Sequence, residues 1–222
     1  MNATLTRAWS AVLFDLDGTI TDSAPAITSS LGRTFTLLGR PVPSATELLA
    51  YVGPPMLEAF QEYAGMTPDE ATEAVAVYRS EYHGAAALDT AIFPGIAGLL
   101  ERIHAAGIPL ALATSKPELS AIAILTHFDL AKYFTATVGA SADETRRNKS
   151  DIVAEALSRL AATGVDTSSA VLVGDRSYDA IGAQANGIPA ILVEWGYGSP
   201  AEAAAATAVV YSADQLGKLL LG

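Results

Sequence analysis

The sequence predicts a doubly wound α/β fold, in which helices cover both faces of a parallel sheet. Short and almost entirely apolar runs alternate with helical patterns over most of the 222 residues. Each apolar run is closed by a polar residue or a glycine, which is typical of strands buried on both faces of a parallel sheet. Glycine also ends several helical patterns, as in HAAGIPL and AQANGIP, just before the next strand.

Six apolar runs are predicted to be strands, and the last of them is an edge strand. The strands are predicted at residues 11–14, 109–114, 134–138, 170–174, 189–193 and 208–211. Five helical patterns lie between these strands or after the last of them. The helices are predicted at residues 95–106, 117–128, 150–162, 178–186 and 213–220. This alternation of strands and helices is the basis for the predicted fold class.

Residues 22–87 interrupt the alternation, because they contain helical patterns and no convincing strand. Thr67 and the following Pro-Asp-Glu indicate a helix start, since proline suits the first turn and acids lie near the positive end of the helix dipole. We therefore predict an α/β core made of residues 1–21 and 88–222, with a helical insertion, residues 22–87, after the first strand.

The composition excludes several classes of function. The formal net charge is −11, from 24 acidic and 13 basic residues, which disfavours nucleic acid as a standing partner. The chain has no cysteine, so disulfides and thiolate metal sites are excluded. No apolar stretch approaches the roughly 20 residues of a membrane span, and no signal peptide is apparent. We expect a cytoplasmic protein without a membrane partner.

Polar residues follow the predicted strands at the edge where ligands bind in open parallel sheets. They are Asp15, Asp17, Thr114, Ser115, Asp175 and Asp179, and Lys149 stands at the start of a predicted helix. Packed carboxylates repel each other, so the cluster needs a cation. Oxygen ligands without cysteine or a histidine pair favour Mg²⁺ over zinc. The Asp-Gly-Thr sequence alone is also ordinary turn chemistry, but its combination with the other strand ends indicates a site.

The motifs DLDGTITDS, LATSK, Lys149 and VGDRSYD resemble the four signature motifs of the haloacid dehalogenase superfamily. The resemblance spans residues 11–193, and the helical insertion is similar to the cap domain of the phosphoglycolate phosphatase-like branch. It implies a Mg²⁺-dependent phosphatase that hydrolyses small phosphate monoesters through an aspartyl-phosphate. The sequences VEWGYGS, ATSKPE and GPP are most similar to phosphoglycolate phosphatase-like and 5′-nucleotidase-like enzymes. That subgroup is expected to have a histidine where Tyr178 stands. This difference weakens the assignment to the subgroup but not the assignment of the catalytic residues.

The resemblance implies catalytic and metal-binding roles for four aspartates. Asp15 is expected to be the nucleophile, and Asp17 the general acid and base. The metal is expected to bind the Asp15 carboxylate, the Asp17 backbone carbonyl and Asp175. Asp179 is expected behind these ligands, where it orients a metal-bound water or Lys149. Halide-releasing relatives lack the second aspartate, so Asp17 favours phosphoryl chemistry.

The resemblance also implies a phosphate-binding set. Lys149 and Thr114 are expected to neutralise phosphoryl charge during catalysis. Ser115 and the backbone at Gly18 are expected to contribute further hydrogen bonds to the phosphate. Lys149 is chosen over the neighbouring arginines because it stands next to the helix SDIVAEALSRL, as in the family pattern.

Several other residues have two interpretations. Lys116 either helps to gate the helical insertion or is a solvent-exposed lysine. Trp195 and Tyr197 either line the mouth of the site or pack locally. Three arginines either attract the substrate or form a solvated surface: Arg146, Arg147 and Arg176.

Within the helical insertion, Gly53, Pro54 and Pro55 are the candidate contact with the leaving group. The two prolines are expected to start a helix whose N–H groups face an anion, and the alternative is an ordinary inter-helix loop. The connections at residues 21–23 and 83–95 are expected to act as hinges, with Gly84 and Gly95 permitting rotation.

Competing functions fit the residues less well. A phosphonoacetaldehyde hydrolase needs a lysine in the insertion, and residues 22–90 contain none. A sugar phosphomutase typically has Glu-Asp where this chain has Gly174-Asp175. A non-catalytic binding protein would have lost Asp15, Asp17 or Lys149. The preferred prediction is a phosphatase most like phosphoglycolate phosphatase, acting on a small phosphorylated metabolite, and the alternative is a 5′-nucleotidase acting on nucleoside monophosphates.

Overall fold

A computed structural model describes residues 8–82, 85–142 and 145–222. These residues contain eight strands, numbered along the chain. The strands are β1 (Ala11–Phe14), β2 (Thr21–Asp22), β3 (Ala91–Ile92), β4 (Leu110–Pro117), β5 (Phe134–Ala140), β6 (Ala170–Gly174), β7 (Ala190–Val193) and β8 (Ala208–Val210). Six of them form a sheet in the order β5-β4-β1-β6-β7-β8, and β2 pairs with β3 in a two-stranded antiparallel ribbon.

Helices occupy most of the remaining chain. They are α1 (Ala24–Leu37), α2 (Ala45–Leu49), α3 (Met56–Ala64), α4 (Pro68–Glu81), α5 (Ala85–Leu88), α6 (Ile96–Ala105), α7 (Glu118–His127), α8 (Lys149–Ala162), α9 (Ser177–Ala185) and α10 (Ala213–Leu221). Short 3₁₀ helices lie at Ala131–Tyr133 and Pro200–Ala205. No helix in the described part of the chain is both long and apolar enough to cross a lipid bilayer.

Strand β1 lies in the centre of the sheet, and its parallel pairing brings three strand ends together. Leu13 pairs with Ala111 of β4 on one side and with Leu172 of β6 on the other. The chain builds β4 and β5 outward on the first side before it crosses to β6 on the second. This reversal creates the crevice in which doubly wound sheets bind ligands.

Alternating residues of β1 bury two different layers. Val12 and Phe14 belong to the apolar cluster that includes residues of α6, α7 and α10. Ala11 and Leu13 belong to the cluster that includes residues of α8 and α9. Because successive side chains of a strand point to opposite faces, one short apolar run serves both layers.

The helices between β2 and β3 have an apolar cluster of their own. Phe35, Tyr51 and Phe60 pack edge to face, with ring centroids 5.8–6.0 Å apart. Thr67 caps α4 as the sequence predicts, because its N–H donates to the Glu70 carboxylate at 2.8 Å and its hydroxyl accepts the N–H of Glu70. The division of the chain at residues 22–87 stays a prediction, which this separate cluster supports.

The predicted fold class is confirmed, and every predicted strand is present. Strand β4 extends to Pro117 and β5 to Ala140, beyond the predicted ends. The β2–β3 ribbon and α5 were not predicted, because segments of two to four residues carry no periodic pattern. Helix α8 begins at Lys149 and therefore includes the residue predicted to precede it.

Replacing Phe60 tests the cluster of the helical insertion. Phe60 is fully buried, whereas Leu37 at the end of α1 is 64% exposed. We expect Phe60→Ala to lower the free energy of unfolding by about 3–5 kcal/mol. The control Leu37→Ala should change it by no more than about 0.5 kcal/mol. Urea denaturation followed by circular dichroism measures both, and equal midpoints for the two variants would contradict the packing described.

Candidate active site

The turn after β1 carries Asp15 and Asp17 into the crevice. The N–H of Asp15 donates to the carbonyl of Val173 at 2.8 Å, which continues the pairing with β6. Gly18 then adopts a φ of 84°, a conformation that favours glycine. A Cβ atom at Gly18 would lie 2.3 Å from Oδ2 of Asp175, so no side chain fits there.

The phosphate contact predicted for the Gly18 backbone stays a prediction, and the structure shows how the N–H group of Gly18 is used without a ligand. Its N–H donates to the carbonyl of Thr21 at 2.8 Å and is already used within the turn. Gly18 also lets the turn pass close to Asp175, because it has no Cβ atom.

Lys149 lies between two buried carboxylates. Its Nζ is 2.8 Å from Oδ1 of Asp15 and 2.6 Å from Oδ1 of Asp179. Burial opposes a charge on Lys149, but the two aspartates raise the pKa of its ammonium above the ordinary value. Gly182 of α9 makes room for the lysine stem, because a Cβ there would lie 2.7 Å from Cγ of Lys149.

Asp179 organises the loop that follows β6. Its Oδ2 accepts the backbone N–H groups of Asp175 at 3.1 Å and of Arg176 at 3.0 Å. Gly174 permits this close approach, since a Cβ there would lie 2.1 Å from Cγ of Asp179. Asp179 thus contacts both the backbone at Asp175 and the ammonium of Lys149. Of the two partners predicted for Asp179, a metal-bound water and Lys149, the structure shows the contact with Lys149.

The segment after β7 packs over Asp175. Two interpretations were predicted for its residues Trp195 and Tyr197: lining the mouth of the site, or local packing. The N–H of Tyr197 donates to Oδ2 of Asp175 at 2.7 Å. Cβ atoms at Gly196 and Gly198 would lie 2.3 Å from Cβ and 2.0 Å from the carbonyl oxygen of Asp175. The glycines of WGYGS therefore leave space for the side chain and the backbone of Asp175. Trp195 donates its Nε1–H to the carbonyl of Thr19.

Carboxylate oxygens of Asp15, Asp175 and Asp179 all lie within 4.8 Å of one another, and all three residues are buried. Burial raises the pKa of Asp15 to about 6 against the opposing effect of Lys149. Burial and the two neighbouring carboxylates also hold the pKa of Asp175 well above its ordinary value. These oxygen donors and their uncompensated charge fit a hard divalent cation such as Mg²⁺.

The Asp17 carboxylate is not one of these three clustered carboxylates, and it pairs with Lys116. The Nζ of Lys116 is 3.1 and 3.0 Å from the two Asp17 oxygens. It also donates to the hydroxyl of Tyr82 in the helical insertion at 2.8 Å and lies over the Tyr82 ring. Lys116 is only 6% exposed, so its interpretation as a solvent-exposed lysine is wrong. A metal contact through the Asp17 backbone carbonyl stays a prediction.

A cavity of about 280 Å³ lies between the strand ends and the helical insertion. Asp15, Asp17, Thr114 and Ser115 line it from the core, together with Lys116. Facing residues of the insertion include the three predicted contacts Gly53, Pro54 and Pro55, and the apolar or aromatic residues Ile27, Val75, Tyr78 and Tyr82.

The helix after Gly53 starts later than predicted. Helix α3 begins at Met56, and Pro55 is an extended N-cap residue with ψ of 129°. Proline restricts the residue before it to extended conformations, so Pro54 does not start a helix. The helix N–H groups predicted to face an anion would therefore be those of the first turn of α3, which starts at Met56.

The three arginines differ in environment. Arg146 donates to Glu118 at 2.7 Å, and Arg147 lies 3.3 Å from Glu58 of α3. Arg176 is buried and donates to the carbonyl of Val52 in the insertion. Its interpretation as a solvated residue is therefore wrong.

The predicted hinges are partly described. Thr21 and Asp22 form strand β2, and Tyr197 donates its hydroxyl to Asp22 at 2.7 Å. Gly95 adopts a φ of 83° before α6, and its role as a hinge stays a prediction. Gly84 lies outside the described residues.

A family profile described as "Haloacid dehalogenase-like hydrolase" matches residues 12–193. Tyrosine-protein kinase PtkA of Mycobacterium tuberculosis is 42% identical over 187 residues, which are 84% of this chain and 62% of that protein. The chain therefore spans less than two thirds of that relative's length.

Two further relatives match over nearly their whole length. A 5′-nucleotidase of Pseudomonas aeruginosa is 36% identical over 91% of this chain and 90% of that protein. A plasmid-encoded phosphoglycolate phosphatase of Cupriavidus necator is 33% identical over 98% of this chain and 96% of that protein. A crystal structure described as a predicted phosphatase from Clostridium acetobutylicum has a TM-score of 0.89 and 38% identity, covering 95% of this chain and 97% of that one.

Adding one methyl group at Gly18 tests the metal site. We expect Gly18→Ala to weaken Mg²⁺ binding by about tenfold or more, because the new Cβ displaces the Asp175 carboxylate. The control is Gly39→Ala, at another positive φ (66°) but with no heavy atom within 4 Å of the added Cβ. Both variants carry similar backbone strain, so isothermal titration with Mg²⁺ isolates the effect of the contact. Equal Mg²⁺ affinities in both variants would refute this role of Gly18.

Proposed function

Because the chain belongs to the haloacid dehalogenase-like hydrolases, we propose that it hydrolyses small phosphate monoesters through a covalent phosphate on Asp15. The observation that carries the proposal is the ion pair of Asp15 with Lys149 at 2.8 Å, beside a cavity that Asp17 and Thr114 also line. A nucleophile, a proton donor and a cation are thus available to one bound phosphate.

In the first step, a carboxylate oxygen of Asp15 forms a bond to phosphorus, and the bond from phosphorus to the leaving oxygen breaks. Asp17 gives its proton to that oxygen, so the leaving group departs as a neutral alcohol. Burial raises the pKa of Asp15 to about 6, so the carboxylate form that attacks predominates at neutral pH. The product of this step is an aspartyl-phosphate.

In the second step, a water molecule attacks the phosphorus of the aspartyl-phosphate. Asp17, now a carboxylate, accepts a proton from that water. The bond between phosphorus and the Asp15 oxygen breaks, which releases inorganic phosphate and restores the Asp15 carboxylate. Two displacements of low barrier thus replace one difficult hydrolysis.

Charge neutralisation lets an anion attack a phosphate dianion. Asp15, Asp175 and the backbone carbonyl of Asp17 would hold Mg²⁺, which supplies positive charge to the phosphoryl oxygens when it is bound. Lys149 and the hydroxyl groups of Thr114 and Ser115 bind the same oxygens. The hydrogen bonds of Asp179 to the backbone after β6 support Lys149 in this position.

The substrate is a small phosphorylated metabolite. Phosphoglycolate is the first ester to test, because a relative named for it matches 98% of this chain. A nucleoside 5′-monophosphate is the second, for the corresponding reason. A sugar phosphate completes the panel.

Replacing the nucleophile tests the reaction. With Mg²⁺ present, the wild-type protein should release phosphate from at least one ester of the panel, and chelation should stop the release. Asp15→Asn should lower kcat by about three orders of magnitude or more, because no carboxylate is left to attack. Asp151→Asn, at an exposed acid of α8, is the control that should keep full activity. Loss in Asp15→Asn of less than about tenfold would rule out Asp15 as the nucleophile.

Replacing Asp17 tests proton transfer. We expect Asp17→Asn to reduce phosphoryl transfer from alkyl phosphates by about 10²–10⁴-fold, since an alkoxide leaves poorly without a proton. An aryl phosphate has a better leaving group and should lose less in that step. Single-turnover kinetics on the two esters measures the difference. Equal losses would indicate that Asp17 only positions the metal or the turn.

A further inference from the structure

Arg176 connects the loop after β6 to the helical insertion. It follows Asp175 directly, and its side chain is buried. One guanidinium nitrogen, Nη1, donates to the backbone carbonyl of Val52, which is fully buried in the insertion. A charged donor bonded to a buried carbonyl is among the stronger hydrogen bonds in a protein.

Glu202 fixes the direction of the Arg176 side chain. Its Oε2 accepts the Nε–H of Arg176 at 2.9 Å and both the N–H and the hydroxyl of Ser177, at 2.9 and 3.0 Å. Its Oε1 accepts the N–H of Ser199 at 3.0 Å. Although burial opposes the ionised form, these hydrogen bonds and the charge of Arg176 lower the pKa of Glu202 to about 2. The carboxylate is thus ionised and held in place at neutral pH.

The loop at residues 51–55 rests on the stem of the same arginine. A Cβ atom at Gly53 would lie 3.0 Å from Cγ of Arg176, and Gly53 adopts a φ of 105°. Tyr51 and residues 53–55 line the cavity opposite Asp15 and Asp17. A displacement of this loop would therefore change the space available to the leaving group.

The backbone of Arg176 is fixed relative to the carboxylate cluster. Asp179 accepts the N–H groups of both Asp175 and Arg176 through one oxygen. The distance from the metal-binding carboxylate to the carbonyl of Val52 is therefore set by one short, doubly hydrogen-bonded segment. Arg176 is therefore placed to fix the position of Val52 relative to the carboxylate cluster, rather than to supply charge to the reaction.

We infer that Arg176 is a positioning residue that holds residues 51–55 over the catalytic cavity and so sets which leaving groups are accepted. This inference rests on the proposed phosphatase function. It extends that function, because the hydrogen bonds and ion pairs of Arg176 in the described part of the chain involve neither Asp15 nor Asp17.

The experiment compares Arg176→Gln, Glu202→Gln and the control Arg40→Gln. Arg40 pairs with Glu70 at 2.7 Å, and neither residue lines the cavity, so its loss removes an insertion ion pair away from the catalytic cavity. Amide hydrogen exchange of residues 50–57 should become about tenfold faster in Arg176→Gln, as expected for loss of one charge-assisted hydrogen bond. Glu202→Gln should change it in the same direction by less, and Arg40→Gln should not change it.

The same variants are assayed on phosphoglycolate and on a nucleoside 5′-monophosphate. In Arg176→Gln the ratio of kcat/KM between the small and the bulky ester should change by about tenfold, while the Mg²⁺ dependence stays that of the wild type. A purely structural role of Arg176 would lower kcat/KM for both esters by the same factor.

Three outcomes separate the possibilities. Unchanged hydrogen exchange at residues 50–57 in both Arg176→Gln and Glu202→Gln overturns the positioning role. Faster hydrogen exchange together with an equal loss of kcat/KM for both esters overturns the link to leaving-group selection. A wild-type protein that hydrolyses no ester overturns the proposed function, and the exchange measurement still decides whether Arg176 holds the loop.

Discussion

Negative charge crowded into a buried space is the constraint on which the rest of this structure depends. Asp15, Asp175 and Asp179 bring carboxylate oxygens within 4.8 Å of one another, and Lys149 contributes one positive charge between two of them. The pKa of Asp15 and that of Asp175 are both raised by burial and by neighbouring carboxylates. Such a cluster is stable in its ionised form only with a further cation. Charge and burial alone thus show that this cluster could hold a metal ion, independently of the similarity to relatives.

Crowding of this kind also restricts the residues around the carboxylates. A Cβ atom at any of five glycines would lie within 3 Å of Asp175, Asp179 or Lys149. These glycines are Gly18, Gly174, Gly182, Gly196 and Gly198. They come from four different segments of the chain, so the backbone must converge on the cluster from several sides. Glycine is needed at these positions for space, and Gly18 alone among them also adopts a positive φ.

Much of the fold and the centre of the site could be predicted because both depend on local patterns. Buried apolar runs locate the strands, and the topology of a parallel sheet brings the segments after β1, β4 and β6 to one edge. The partners of Lys116, Arg176 and Tyr197 could not be predicted in this way. Each has a partner in the helical insertion, and that contact depends on how the insertion packs against the core, which a local sequence pattern cannot show. The glycines of WGYGS were a usable signal for Tyr197, since two glycines two residues apart suggest close approach of the backbone.

Three contacts between the helical insertion and the core are made by core residues that lie beside the catalytic carboxylates or bond to them. Lys116 forms an ion pair with Asp17 and donates a hydrogen bond to Tyr82 of the insertion. Tyr197 donates its N–H to Asp175 and its hydroxyl to Asp22. Arg176 reaches Val52 from the position next to Asp175. The cavity wall supplied by the insertion is therefore located relative to the carboxylates and not only to the distant sheet. A change that shifts the carboxylates would also shift the wall, so the shape of the cavity and its charge are set by one group of backbone positions.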